Sequence, residues 1–131
     1  MAGTFHVSVI TPERAVLETE ATSVVFPAHD GEVGVLRNRA PLLYRLGVGL
    51  LKVETGAGRQ TLFIAGGFAQ MVDNKLTLLT EQAKEPEKID RAAAEKALEE
   101  ARAMKVKDDA SLRARDTALR SAKLQIRLAG H

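Results

Sequence analysis

The sequence predicts an α+β chain: an N-terminal antiparallel β-sandwich over residues 1–86, then a C-terminal antiparallel two-helix hairpin over residues 87–131. A shift in composition and a shift in periodicity carry that reading. Nine of the ten glycines fall at or before Gly67, and all five aromatic residues at or before Phe68. From Ala83 onward there are twelve alanines and a single glycine. Apolar residues alternate with polar ones in the first part and recur at three- and four-residue spacing in the second, as strands and helices require.

Phe5, Val7 and Val9 alternate with His6 and Ser8, which predicts a first strand. Further apolar pairs mark strands at Val24 and Phe26, Val33 and Val35, Leu46 and Val48, Leu51 and Val53, Leu62 and Ile64, and Leu76 and Leu78. Turn chemistry separates them at Thr11-Pro12, Asp30-Gly31, Gly56-Ala57-Gly58 and Asp73-Asn74. No helical stretch lies between these runs to carry the chain back, so a parallel sheet is not expected. Pro86 marks the junction. Asp90 is the expected N-cap of a helix running to about Met104, although Ala93 three positions on gives it no capping box. Ala94, Ala97, Leu98, Ala101 and Met104 form its narrow apolar stripe. The chain turns through residues 105–109, and a second helix follows from about Ala110 to Ala129, with Leu112, Leu119, Ala122, Ile126 and Ala129 on one face. A seam so rich in alanine buries little area, so the hairpin is expected to depend on docking elsewhere.

Charge is distributed unevenly. The 131 residues carry a net +2, but residues 1–83 carry −1, residues 84–131 carry +3, and residues 110–131 alone carry +4. There is no cysteine and no tryptophan, and the three histidines (His6, His29 and His131) are dispersed. Disulfides, thiolate chemistry and a metal-ligand spacing are thereby excluded. No nucleophile elbow, phosphate loop or zinc-binding helix motif is present, so neither catalysis nor a cofactor is expected. His29-Asp30 reads as a turn, and Gly66-Gly67 as a strand bulge or a close approach of backbones. No apolar run approaches the ~20 residues of a membrane span, and the N-terminus lacks a basic-then-apolar leader, which predicts a mature intracellular protein. Arg113, Arg120 and Arg127 recur every seven residues, flanked by Arg115 and Lys123. Such a stripe fits either a solvated face or a docking surface for an acidic partner. Nucleic acid is disfavoured by the absence of aromatics for base stacking in this half, though a free-standing basic nucleic-acid-binding or adaptor module is the alternative reading.

Taken in order, these fragments resemble the epsilon subunits of F-type ATP synthases, whose mitochondrial counterpart is called delta. Residues 5–13 (FHVSVITPE) resemble the family's opening strand, and residues 30–36 (DGEVGVL) its G-E-x-G-V-L turn. Ala40-Pro41-Leu42, Gly66-Gly67-Phe68 and Ile89-Asp90 match its A-P-L, G-G-F and I-D motifs. The likeness spans about residues 4–128. It implies a β-sandwich and a helical hairpin in a non-catalytic rotor subunit. That subunit links the gamma subunit to the ring of c subunits, and its hairpin can extend beside gamma and restrain ATP hydrolysis. The likeness places c-ring contact at Asp30, Gly31 and Glu32, and gamma contact at Arg39, Ala40, Pro41 and Leu42. Arg39 stands where the family usually has histidine. The inhibitory face toward the alpha and beta subunits falls on Arg113, Arg115, Arg120, Lys123 and Arg127. Some members bind ATP through I-D-x-x-R-A; here Ala93 occupies the arginine position, leaving Ile89 and Asp90 alone and implying weak or no nucleotide binding. The implied location is peripheral, on the cytoplasmic side of a bacterial inner membrane or the stromal side of a thylakoid, with membrane contact only through the ring.

Overall fold

A computed structural model describes residues 3–129; the last two positions of the expected hairpin, 130 and 131, lie outside the described residues, and His131 is one of them. The chain divides after Lys84 into two compact units. The first holds ten strands: β1 (Phe5–Ile10), β2 (Ala15–Ala21), β3 (Ser23–Ala28), β4 (Gly31–Leu36), β5 (Leu42–Arg45), β6 (Val48–Thr55), β7 (Gly58–Ala65), β8 (Phe68–Val72), β9 (Lys75–Leu79) and β10 (Gln82–Lys84). They form two five-stranded sheets, ordered β2-β1-β9-β8-β5 and β10-β7-β6-β3-β4. This is the expected β-sandwich.

The core draws on both sheets. Val7, Val9, Met71, Leu76 and Leu78 come from the first; Phe26, Leu51, Val53 and Ile64 come from the second. All are fully buried, and each such large side chain contributes about 1.5–3 kcal/mol of burial free energy. Phe26 meets Tyr44 edge-on, with ring centroids 6.0 Å apart, which joins the second sheet to the edge strand of the first.

The strand pairs are antiparallel except for β1 and β9, which run parallel. The sequence argument against parallel pairing supposed that only a helix could carry the chain back. Here the connection from β1 to β9 travels through strands of both sheets instead. Its key corner lies where β5 passes to β6 and β7 passes to β8. The two connections run side by side: Leu46 N donates to Gly67 O at 2.8 Å, and Gly66 N donates to Gly47 O at 3.1 Å. Gly66 and Gly67 have φ of 74° and 103°, and a Cβ on Gly67 would lie 1.9 Å from Leu79 O. The close approach expected at this pair is that corner.

Leu46 and Val48 do not share a strand. Leu46 makes an isolated bridge to Ala28, Gly47 interrupts, and β6 then runs from Val48 through Leu51 and Val53 as a single strand. The periodicity gave no notice of β2, β5, β8 or β10.

In the second unit a 3-10 turn (Pro86–Lys88) precedes α1 (Arg91–Ala103) and α2 (Asp109–Ala129). Asp90 caps α1 by accepting from Ala93 N at 3.3 Å. Where α2 begins, Asp108 and Ser111 cap reciprocally. Asp108 Oδ1 accepts from Ser111 N at 2.8 Å, and Ser111 Oγ accepts from Lys107 N at 2.7 Å and Asp108 N at 3.0 Å. That arrangement opens α2 at Asp109, where the sequence reading still had a turn. Ala94, Ala101 and Ala122 are buried as expected, and Gln125 is buried too, its Nε2 donating to Ser121 Oγ at 3.1 Å. Ala97, Met104 and Leu112 depart from the expected stripe and are exposed.

Candidate functional site

The turn between β3 and β4 is two residues long, His29 and Asp30, with Gly31 paired to Ala28 and Glu32 paired to Pro27. Gly31 has φ of 141°, a conformation that suits glycine. Asp30, Gly31 and Glu32 are all exposed. What fixes this tip is the corner beside it: His29 N donates to Arg45 O at 3.0 Å, and Gly47 N donates to Pro27 O at 2.9 Å. A Cβ on Gly47 would sit 2.9 Å from Ala28 O, so the approach needs glycine there. The expected c-ring residues thus form a projecting acidic tip on a rigid base.

Residues 39–42 leave β4 and enter β5, crossing from one sheet to the other. Arg39, Ala40 and Pro41 are exposed, and Leu42 is half-buried against the core. The next residue, Leu43, points away from the core and is 69% exposed. It opens a surface that the sequence reading missed. On the outer face of the first sheet, Arg45 pairs with Phe68, Phe68 with Leu79, and Leu79 with Ile10. Phe68 and Leu79 are each 53% exposed. A shallow groove of about 380 Å³ is lined by Ile10, Thr11, Pro12, Leu79, Thr80 and Glu81. The available signal was parity along β8, where Ala69 and Met71 are buried and place Phe68 on the opposite face.

On α2, positions 113, 120, 123 and 127 fall within an arc of about 80°. Arg113, Arg120, Lys123 and Arg127 are exposed along it. Arg115 lies about 200° around from Arg113 and is half-buried, so the structure does not bring it into this face. Asp116 falls inside the same arc and lowers its net charge. At the start of α1, Ala93 contributes only its backbone N–H to the cap, and Arg91 turns to Glu95, Nε to Oε1 at 2.9 Å. Ile89 is buried. The guanidinium nearest the expected nucleotide motif is therefore engaged within its own helix. At the bend, the Ser111 backbone N–H, followed by the Ser111 hydroxyl, holds the Asp108 carboxyl below the usual carboxylate range. Among the described residues no group of three or more His, Asp or Glu side chains could hold a metal ion.

A two-layer sandwich with an exposed acidic tip and an exposed apolar sheet face, followed by a capped helical hairpin, defines the class of fold. The family described as "ATP synthase, Delta/Epsilon chain, beta-sandwich domain" matches residues 4–86. The chain belongs to that family. It is 41% identical to the ATP synthase epsilon chain of Rhodopirellula baltica, over 91% of this chain and 93% of the relative. It is 37% identical to the chloroplastic epsilon chain of Guillardia theta, over 72% of each. Among solved structures, a chain of the Euglena gracilis mitochondrial ATP synthase (OSCP/F1/c-ring) superposes with a TM-score of 0.79 at 28% identity, covering 98% of this chain and 82% of that one.

Proposed function

We propose that this chain is a non-catalytic rotor subunit that joins the gamma subunit to the c-ring, coupling ion transport to ATP synthesis, and that its hairpin restrains ATP hydrolysis. The observation that carries the reading is the outer face of the first sheet. Leu43, Phe68 and Leu79 stand exposed on one side of a rigid layer, beside the crossover that holds Arg39. Large apolar side chains gathered this way mark a protein-binding surface. In this reading gamma covers that face and residues 39–42, and the Asp30–Glu32 tip rests on the c-ring. Exposed ion pairs there are worth about 0–1 kcal/mol each, so the rigidity of the tip must supply specificity. The membrane is reached only through the ring, on the cytoplasmic or stromal side; no helix among the described residues is long and apolar enough to cross it.

The test is assembly with gamma followed by hydrolysis assays. Phe68→Ala should weaken gamma binding by roughly tenfold or more, as loss of a central aromatic anchor does. Unchanged binding would move gamma to another face. Truncation after Glu87 should leave gamma binding intact and raise ATP hydrolysis by the reconstituted complex; an unaltered rate would remove the inhibitory role. Replacing Arg113, Arg120 and Arg127 with Ala should relieve the restraint, whereas Arg115→Ala, off the face, should not. The alpha and beta subunits are the partners this part of the reading requires. Calorimetry with ATP should give weak or no heat for the chain alone, because no arginine stands at position 93; a tight isotherm would contradict that.

A further inference from the structure

The crossover from β4 to β5 has little to hold it. Residues 36–41 are all exposed. Pro41 has no N–H to donate, and Arg39 N reaches back to Leu36 O within the same turn at 3.3 Å. A short exposed connection of this kind is ordinarily the most mobile part of a sandwich. Yet its midpoint is tied across the molecule. Asn38 N donates to Asn74 Oδ1 at 2.6 Å, and Asn74 Nδ2 donates to Asn38 Oδ1 at 3.0 Å. Both residues adopt left-handed backbone, with φ of 66° at Asn38 and 60° at Asn74. Asn74 belongs to the tight β8–β9 turn, whose other central residue, Asp73, has φ of 50°. Its own carbonyl accepts from His6 N at 2.9 Å, which fastens the turn to β1. The loop bearing Arg39 is thus pinned, through one side-chain pair, to a turn anchored in the middle of the first sheet.

We propose that Asn38 and Asn74 form a clasp that holds the crossover in its docking conformation, making both of them positioning residues for the partner surface at Arg39, Ala40, Pro41 and Leu42. The inference rests on the gamma-binding reading above and goes beyond it by naming what prepares that surface. A loop fixed before contact loses less conformational freedom on binding, and the gain appears as slower dissociation. The clasp suits this task because neither asparagine is needed to fill the core. Left-handed backbone is strained for most side chains, but asparagine tolerates it and can also spare both polar groups of its amide for a partner.

The experiment compares binding of the full-length chain to the gamma subunit with thermal unfolding of the same samples. Asn74→Gly keeps the left-handed turn, since Asp-Gly is a favoured pair for two-residue hairpins, and it deletes both clasp bonds. It should speed dissociation about tenfold, the worth of two ordinary hydrogen bonds, while the unfolding midpoint stays near that of the unaltered chain. Asn38→Gly keeps the positive φ and the donation from its backbone N–H, so it should fall between the two. The double variant should be no worse than Asn74→Gly, because every clasp bond runs through Asn74. Dissociation unchanged in Asn74→Gly, or faster only in proportion to lost thermal stability, overturns the clasp alone. An unaltered chain that fails to bind gamma overturns the functional reading, and the role given to the clasp falls with it.

Discussion

In the sandwich, Phe26, Leu51, Ile64 and Leu78 are shut away from solvent by neighbours from both sheets. On the two helices, the buried apolar side chains are alanines at 94, 101 and 122. The units are therefore held by different forces. The first is stabilised by non-local burial, which is large per residue and is lost all at once. The second relies on local devices: the Asp90 cap, the Asp108–Ser111 box, and i to i+3 and i+4 ion pairs such as Arg91–Glu95 and Arg102–Glu99. Exposed pairs of this kind add only a few tenths of a kcal/mol each. The contrast teaches a division of labour. The proposed docking surface needs fixed coordinates, which a sandwich core can supply. The proposed restraint of hydrolysis would need a hairpin that is not strongly committed to one pose, and an alanine seam commits weakly.

The largest expected effect tests the first half of that contrast. Phe26→Ala removes a fully buried ring that also meets Tyr44, and it should cost about 3–5 kcal/mol. Hydrogen exchange read strand by strand should show protection falling throughout both sheets. If the amides of α1 and α2 lose protection by the same factor, the two units are not held by different forces. A smaller effect tests the second half. Ser111→Ala deletes the acceptor for two backbone N–H groups at the head of α2 and should cost about 1 kcal/mol, confined to the hairpin. Loss of protection in the strands of this variant would show that the helices are not sustained locally.

The same contrast explains what could be read from the sequence. Strands whose apolar alternation faces the core, such as β1, β3, β7 and β9, were legible because burial imposes the period directly. The missed strands lack that imprint. β5 and β10 are edge strands of four and three residues. β2 is an edge strand whose burial alternates poorly. Besides main-chain pairing they offer only a few core-facing side chains, such as Ala21, Tyr44 and Ala83, too few to set a clear period. β8 does alternate, but its larger residue, Phe68, faces outward while Ala69 faces in, so hydrophobicity alone points to the wrong face. That inversion is also why the exposed apolar face is hard to read from the sequence while the acidic tip at Asp30, Gly31 and Glu32 is not: the tip is contiguous in sequence, whereas the face assembles from four strands. Arg115 is close to the basic stripe in sequence, and the helical repeat separates them. The Asn38–Asn74 pair joins positions 36 residues apart, and no local pattern announces it.

The smallest expected effect probes the local devices at a single atom. Asp108 titrates below the usual carboxylate range, chiefly because the Ser111 backbone N–H donates to it, with the Ser111 hydroxyl adding to the effect. Its ionised form is thus favoured by folding. The stabilisation is fully present above the ordinary carboxylate pKa and is lost as pH falls through the lowered value. Following the Ser111 amide by NMR during acid titration should give a midpoint below that of a free aspartate. Ser111→Ala should move the midpoint only part of the way back, because the backbone donor, which is the larger cause, survives the substitution. Asp108→Asn should abolish the titration while keeping the cap, since asparagine serves equally well as an N-cap. A midpoint in Ser111→Ala equal to that of free aspartate would mean that the hydroxyl, and not the helix backbone, sets the charge at the bend. The head of α2 would then owe its order to one side chain instead of to the amides that every helix start leaves open.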